Sequence, residues 1–318
     1  MKLYHVLGAK QYNRRTLEDV YETADRMEKV VKNGGSDIYS NKIMTTLFFE
    51  PSTRTRLSFE SAISRLGGKV IGTENAGQFS SATKGETLED TIRVVSEYCD
   101  VIVMRHTDIG AAERASAVAS VPILNAGDGG GEHPTQALLD VYTIKKELGT
   151  LDNLHVVMVG DLKYGRTVHS LSYMLANYEN VHITFTAPDN VQIPVYVKDY
   201  LNERGVSYSE EIDLRKAVRN ADVVYQTRIQ KERFASTADF EKANGKYIIN
   251  DAILSNMKPN CIILHPLPRA GEIEHSVDSD PRAAYFRQAQ NGLYIRMALL
   301  EKCFEPSKAM ALPDPVNV

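Results

Sequence analysis

Apolar and polar residues alternate along the chain with two periods, and each change of period marks an element. Leu17, Val20, Tyr21, Ala24, Met27 and Val30 recur at helical spacing, and Gly34-Gly35 end the helix they predict. The run IMTTLFF (43–49) reads as a buried strand. Phe59, Ala62, Ile63 and Leu66 then make one helix face, closed by Gly67-Gly68. KVIG (69–72), DVIVMR (100–105) and VPILN (121–125) predict strands with helices between them. HPTQALLDVYTIKKELG (133–149) predicts the next helix, with Pro134 suited to its first turn. A second series follows: LHVVMVG (154–160), VHITFTA (181–187), ADVVYQT (221–227) and CIILH (261–265). Each runs into a loop rich in charge or proline. A last helix around 292–304 sets Leu293, Met297, Leu300 and Phe304 on one face.

This alternation predicts an α/β protein with two doubly wound domains, each a mostly parallel sheet flanked by helices. A chain of 318 residues exceeds one comfortable hydrophobic core, which also argues for two domains. The boundary falls near 150, giving domains 1–150 and 151–290, with the C-terminal segment 291–318 packing back on the first.

Composition narrows the function more by what it excludes. With 43% hydrophobic and 25% charged residues, the chain is ordinary for a globular protein rather than a disordered one. The net charge of −4 and the lack of a Lys/Arg block speak against a nucleic-acid or membrane partner. An anionic ligand must therefore be held by a local cluster of cations. Cys99, Cys261 and Cys303 form no CxxC pair, so free thiols are expected rather than disulfides or a zinc site, and no metal or cofactor is called for. The N-terminus lacks a secretory apolar core and no apolar run reaches membrane-span length, which makes a cytoplasmic setting the default expectation.

The loops carry the candidate chemistry. In Phe49-Glu50-Pro51-Ser52-Thr53-Arg54-Thr55-Arg56, hydroxyls and guanidiniums crowd the start of a helix. Unpaired N–H groups and the helix dipole favour an anion there, and Arg54 offers bidentate bonds to a phosphate. Arg105 ends a predicted strand, where ligands gather in open α/β sheets, although a strand-end arginine is as often a salt-bridge partner. His133 precedes Pro134, and the nearby helix N-terminus favours a neutral ring able to donate to a carbonyl. GDLKYGRT (160–167) is one substitution from a nucleotide-binding P-loop, with Arg166 where lysine belongs; no acidic strand end follows, so nucleotide binding is rejected. Taken alone, TRIQKER (227–233) reads as a solvated loop and HPLPR (265–269) as a proline-stiffened connection.

FEPSTRTR, MRH (104–106), HPTQ (133–136), GDLKYGRTVHSL (160–171), TRIQKER and HPLPR, in this order, resemble the aspartate/ornithine carbamoyltransferase family over nearly the whole chain. The resemblance implies an active site in the cleft between the two domains and a reaction that needs no cofactor. It implies that Ser52, Thr53, Arg54, Thr55 and Arg105 bind carbamoyl phosphate, with His133 on its carbonyl oxygen and Gln136 on its amide nitrogen. Thr55, Arg105 and His133 would polarise the carbonyl and hold the oxyanion of a tetrahedral intermediate; the attacking group is the substrate amine, with no covalent enzyme intermediate. Arg166, Arg228 and Gln230 are implied to bind the acceptor's carboxylates, and the carbonyls of Pro266 and Leu267 its amine and the carbamoyl nitrogen. Ser80 and Lys84 are implied to enter a neighbouring subunit's site in a homotrimer, Lys84 there serving catalysis and aspartate binding, although some relatives carry a second basic residue where Thr83 stands. Glu50 is implied to pair with Arg166 and Arg233 when the cleft closes.

Charge selects the acceptor within that family. Carbamoyl phosphate and aspartate together bring roughly four negative charges into one site, which needs several cations to offset desolvation. Arg54, Lys84, Arg105, Arg166 and Arg228 supply them, and HPLP stands where the ornithine branch has HCLP. Aspartate is therefore preferred to ornithine. A catalytically silent, substrate-binding homologue remains the alternative from another class. A regulatory chain, or fusion to other pyrimidine-pathway enzymes, is compatible with the resemblance.

Overall fold

The computed structural model describes residues 4–74, 76, 85–231, 234 and 236–305, the side chain at 242 excepted. Internal contacts divide the chain into Met1–Leu138 with Asn291–Val318, and Leu139–Gln290. The sequence placed this divide near 150; the contacts place it inside the helix Pro134–Leu148. The reason is local: Asp140 is fully buried and takes hydrogen bonds from Tyr225 and Gln288, so the helix belongs to the second unit from there on.

The first unit holds a four-stranded parallel sheet of β1 (Ile43–Phe48), β2 (Lys69–Glu74), β3 (Val101–His106) and β4 (Ile123–Asp128), in the order β2-β1-β3-β4. β3 starts with four fully buried residues and β4 is buried throughout, as expected for strands covered on both faces. The edge strand β2 is largely exposed, and a parallel bridge from Val6 to Leu124 extends the opposite edge. The N-terminal helix Arg14–Lys32 is capped by Asn13, whose side chain accepts from the Thr16 N–H. The last helix runs over Tyr285–Phe304, seven residues longer at its start than the apolar stripe predicts. Its end is held to the first unit by Glu301 on Arg26 (2.7 Å), Lys302 on Asp19 (2.6 Å) and the Arg296 guanidinium over the Phe59 ring.

The second unit holds a five-stranded parallel sheet of β5 (His155–Val159), β6 (His182–Thr186), β7 (Ser207–Glu210), β8 (Val223–Gln226) and β9 (Ile262–Leu264), ordered β7-β6-β5-β8-β9. Its core gathers Val157, Val159, Val224, Ile249, Ile263 and Tyr285. β7, with the sequence SYSE, was not expected: it is an exposed edge strand and carries no apolar signal.

Both sheets change direction once. In the first, the chain passes from β1 outward to β2 and then returns to place β3 on the other side of β1. In the second it passes from β5 through β6 to β7, then places β8 on the other side of β5. Crossovers leaving on opposite sides open a crevice at the carboxyl ends of the two strands, which is where ligands bind in open α/β sheets.

Candidate active site

In the first unit the crevice between β1 and β3 is bordered by Glu50, Pro51 and Ser52, followed by the helix Thr53–Arg65, and by Arg105 near the end of β3. Ser52 occupies the helix N-cap, yet its hydroxyl makes no capping bond. It accepts instead from Arg105 Nη1 at 3.3 Å. The first turn has no acidic residue, so neither carboxylate nor cap neutralises the positive end of this helix. Arg54 is exposed and has no hydrogen bond or ion pair among the described residues; crowding by the surrounding protein lowers its pKa through desolvation. Arg56, the other guanidinium of the motif, pairs through its two Nη atoms with Glu60 at 3.3 Å and Glu74 at 3.1 Å. Thr55 is buried in the first turn.

Arg105 is held from two sides. Its carbonyl accepts the Phe49 N–H at 2.8 Å, and its Nε meets the Glu50 carboxylate at 3.2 Å. Glu50, implied by resemblance to pair with Arg166 and Arg233, thus lies on Arg105 here, while Arg233 itself lies outside the described residues. Ser80 and Lys84 likewise lie outside them.

A bulge prepares the neighbouring strand end. Met104 faces Asn125 but His106 faces Asp128, so β4 carries one extra residue, accommodated at Gly127 with φ 114°. The Asp128 carboxylate then accepts the Glu132 N–H at 2.8 Å and the Gly110 N–H at 2.9 Å, which fixes the turn leading to His133. His133 and Gln136 are buried at the start of the helix Pro134–Leu148. Neither Asp128 nor Glu132 was singled out from sequence, although a carboxylate on each side of three glycines in DGGGEH is a turn signal.

Glu132 accepts the Ala9 N–H and is pushed up to about 7 by burial, against the lowering effect of that N–H and of Lys10; Asp128 and Glu113 add to the rise. A folded-state pKa above the ordinary carboxyl value means that the fold favours the protonated form. Its stabilising effect is complete below about 4.5 and is lost as pH rises through about 7. Glu132→Gln keeps an acceptor for Ala9 and cannot ionise. It is expected to match the parent at pH 5 and to be more stable at pH 8, by about 1–3 kcal/mol. Thermal melts at the two pH values check this, and an offset independent of pH would contradict it.

In the second unit the crevice lies between β5 and β8. The loop after β5 runs from Gly160 to Gly165, and Arg166 opens the helix Arg166–Leu175. The P-loop-like glycines have packing causes. A Cβ at Gly160, where φ is 112°, would overlap the Thr227 carbonyl oxygen, and one at Gly165 would overlap the Asp161 carbonyl oxygen. Asp161 is fully buried and its pKa is raised by that burial. It accepts the Tyr164 N–H at 2.9 Å and lies 3.5 Å from Gln230 Nε2, which also reaches the Tyr164 carbonyl at 3.4 Å. Asp161 therefore joins the loop of Arg166 to that of Arg228 and Gln230, a role not read from the sequence. His169, one turn into the helix, donates from Nε2 to the Leu162 carbonyl at 2.8 Å and accepts at Nδ1 from Tyr196, and burial lowers its pKa. Pro266 and Leu267 follow β9, the strand beside β8. Arg269 is tied to Asp278 and Tyr285.

In the first unit Glu50, Ser52, Thr53, Arg54, Thr55 and Arg105 thus lie at the ends of β1 and β3, with His133 and Gln136 beyond the end of β4 at the start of the helix Pro134–Leu148. The second carries Arg166 beyond β5 and Arg228 and Gln230 beyond β8, with Pro266 and Leu267 beyond the end of the adjoining β9. Both assemblies suit anions. Among the described residues no group of three His, Cys, Asp or Glu is placed to hold a metal ion, all three cysteines are free, and no helix is long and apolar enough to cross a membrane.

Comparison with known proteins also divides the chain in two, with the boundary between 146 and 152 and the C-terminal helix in the second half. The carbamoyl-P binding domain of aspartate/ornithine carbamoyltransferase matches residues 4–146, and the Asp/Orn binding domain of that family matches residues 152–303. Aspartate carbamoyltransferase 1, chloroplastic, of Pisum sativum is 56% identical over 302 residues, covering 94% of this chain and 78% of that protein. The catalytic subunit of M. jannaschii aspartate transcarbamoylase superposes with a TM-score of 0.89 at 44% identity, over 96% of this chain and 99% of that one. Aspartate transcarbamoylase from Trypanosoma cruzi, in complex with carbamoyl phosphate and aspartate, superposes with a TM-score of 0.88 at 42% identity, over 94% and 96%.

Proposed function

The chain belongs to the aspartate/ornithine carbamoyltransferase family, and from that premise we propose that it transfers the carbamoyl group of carbamoyl phosphate to the amine of L-aspartate, an early step of pyrimidine biosynthesis. The observation that carries this reading is the uncapped helix N-terminus at Ser52–Thr55, with Arg54 unpartnered among the described residues and Arg105 beside it. Such a site takes a phosphate without further rearrangement of the helix.

Ser52, Thr53, Arg54 and Arg105 hold the phosphate; Thr55, Arg105 and His133 donate to the carbonyl oxygen, and Gln136 accepts from the amide nitrogen. Arg166, Arg228 and Gln230 hold the aspartate carboxylates. The amine of aspartate attacks the carbonyl carbon, giving a tetrahedral intermediate whose oxyanion those donors stabilise. The carbon–oxygen bond to phosphate then breaks, the electron pair leaves with phosphate, and a phosphate oxygen takes the amine proton. The products are N-carbamoyl-L-aspartate and inorganic phosphate. Guanidiniums at both strand-end clusters favour aspartate over ornithine, whose side-chain ammonium would meet Arg166 and Arg228 with like charge.

The same reading includes a cytoplasmic homotrimer in which Ser80 and Lys84 complete a neighbour's site, and closure in which Glu50 moves to Arg166 and Arg233. For Glu50, the pairing with Arg105 supplies a physical reason: phosphate arriving at Arg105 competes with the carboxylate and releases it. Glu50→Gln is therefore expected to tighten carbamoyl phosphate binding by about 3–10-fold, the equivalent of about 1 kcal/mol for a partly exposed ion pair, while lowering turnover through lost closure. Calorimetric titration without aspartate tests the binding half, and unchanged affinity would remove this competition.

Incubation with carbamoyl phosphate and either aspartate or ornithine tests the function. Carbamoyl-aspartate with stoichiometric phosphate is the expected result. Citrulline would overturn the acceptor, and no product from folded protein would favour a silent substrate-binding homologue.

A further inference from the structure

Leu267 stands out in the backbone of the second unit. Among the described non-glycine residues, φ is positive only at Asn153, Asn180 and Leu267. Asparagine enters the left-handed region readily; leucine does not, and at 54° it must be held there by its surroundings. The His265 ring does this holding. Its Nδ1 accepts the Leu267 N–H at 2.7 Å, and its Nε2 lies 2.7 Å from Glu272 Oε1. An N–H pointing at Nδ1 requires a bare nitrogen there, so the proton sits on Nε2 and is donated to Glu272. The other Glu272 oxygen accepts the Ala270 N–H at 2.9 Å. Burial raises the Glu272 pKa, but the bonds from His265 and Ala270 outweigh it and hold the group below the usual range.

The backbone of His265 is anchored as firmly as its ring. Its N–H donates to Gln288 Oε1 at 2.8 Å, Gln288 donates to Asp140 at 2.6 Å, and Asp140 accepts the Tyr225 hydroxyl at 2.8 Å. The imidazole is 1% exposed and the Glu272 side chain 11%, so water does not compete effectively for these bonds.

We propose that His265 and Glu272 are positioning residues for carbamoyl transfer: the pair fixes the imidazole tautomer that holds Leu267 left-handed and so sets the Pro266 and Leu267 carbonyls for the substrates. This rests on the functional reading above, in which those carbonyls receive the amine and the carbamoyl nitrogen. His265 itself touches neither substrate and acts through the Leu267 peptide.

Two amide substitutions separate the ring's two bonds in the full-length protein. His265→Asn places an oxygen near Nδ1 and keeps the acceptor for Leu267. His265→Gln places a donor near Nε2, keeps the bond to Glu272 and loses that acceptor. A displacement of about 1 Å at a reacting group costs on the order of 10²-fold in rate, so H265Q is expected to lose about that much kcat while H265N stays within about tenfold of the parent. Carbamoyl phosphate affinity, measured by calorimetry, should stay within about twofold in both, because its phosphate contacts belong to the first unit. Equal kcat in the two variants, or a loss confined to carbamoyl phosphate affinity, would overturn the proposal. If neither histidine variant folds by circular dichroism, Glu272→Gln decides: one amide oxygen cannot serve both His265 and Ala270, so kcat should fall about tenfold, and a parental kcat would overturn the proposal. A parent protein without transfer activity would remove the functional reading and this inference together, whereas an active parent with indistinguishable variants removes the inference alone.

Discussion

Arg54→Ala is expected to lower kcat for carbamoyl transfer by about 10²–10³-fold, as removal of one donor to a developing charge does in other acyl-transfer sites. The fold should barely notice. Arg54 is exposed, has no hydrogen bond or ion pair among the described residues, and begins a helix whose packing face is Thr55, Phe59, Ala62 and Ile63. Its thermal stability should therefore remain within about 0.5 kcal/mol of the parent. Arg56→Ala is the internal comparison. That guanidinium is paired with Glu60 and Glu74, so its loss should show in the melt rather than in turnover. Arg54→Lys should recover only part of the activity, because a point charge replaces a bidentate fork. The assay is phosphate release under saturating aspartate, alongside thermal melts of all four proteins. An Arg54→Ala protein with parental kcat would sink the assignment of this helix end to the leaving phosphate.

The course of both sheets was legible because parallel strands buried on two faces write themselves as apolar runs. IMTTLFF and LHVVMVG each gave their strand within a residue or so. β7 was not legible, since SYSE lies on an exposed edge and makes its bonds through the backbone. VPILN gave the start of β4 but not its continuation through Asp128, where Gly127 inserts a bulge that no periodicity announces. In the candidate site the charged groups were legible and their supports were not. Arg54, Arg105 and Arg166 stand out as cations beside turns, whereas Asp128, Asp161 and Glu272 act on backbone N–H groups that the sequence does not place. Glu50 shows a different gap: its motif suggests a function, but only coordinates reveal that Arg105 is its present partner. Side chains that recognise small molecules keep their chemistry in every context, while side chains that satisfy backbone groups are intelligible only once the turns exist.

The loop GDLKYGRT presents the sharpest conflict between pattern and cause, and Gly160→Ala resolves it. Were Gly160 kept for close approach to a nucleotide phosphate, an alanine there would leave the unliganded protein as stable as the parent. The geometry gives another reason. Thr227 donates its N–H to the Val159 carbonyl at 2.8 Å and its hydroxyl to the same oxygen at 2.9 Å, drawing the ends of β5 and β8 together. A Cβ on Gly160 would overlap the Thr227 carbonyl oxygen and come 2.6 Å from its Oγ1, on a backbone with φ at 112° that alanine resists. Neither obstacle can relax through a flexible side-chain end, since one partner is backbone and the other is a hydroxyl already bonded to the Val159 carbonyl. Together they are expected to destabilise the protein by about 3 kcal/mol or more in urea unfolding without ligand, with the slope of the transition unchanged. The loss should extend to turnover before global unfolding, because the loops of Arg166 and Arg228 leave from the two strand ends being forced apart. Parental stability of Gly160→Ala without ligand would return the nucleotide reading to consideration, and a stabilising shift of the parent's melt by ATP would do so directly.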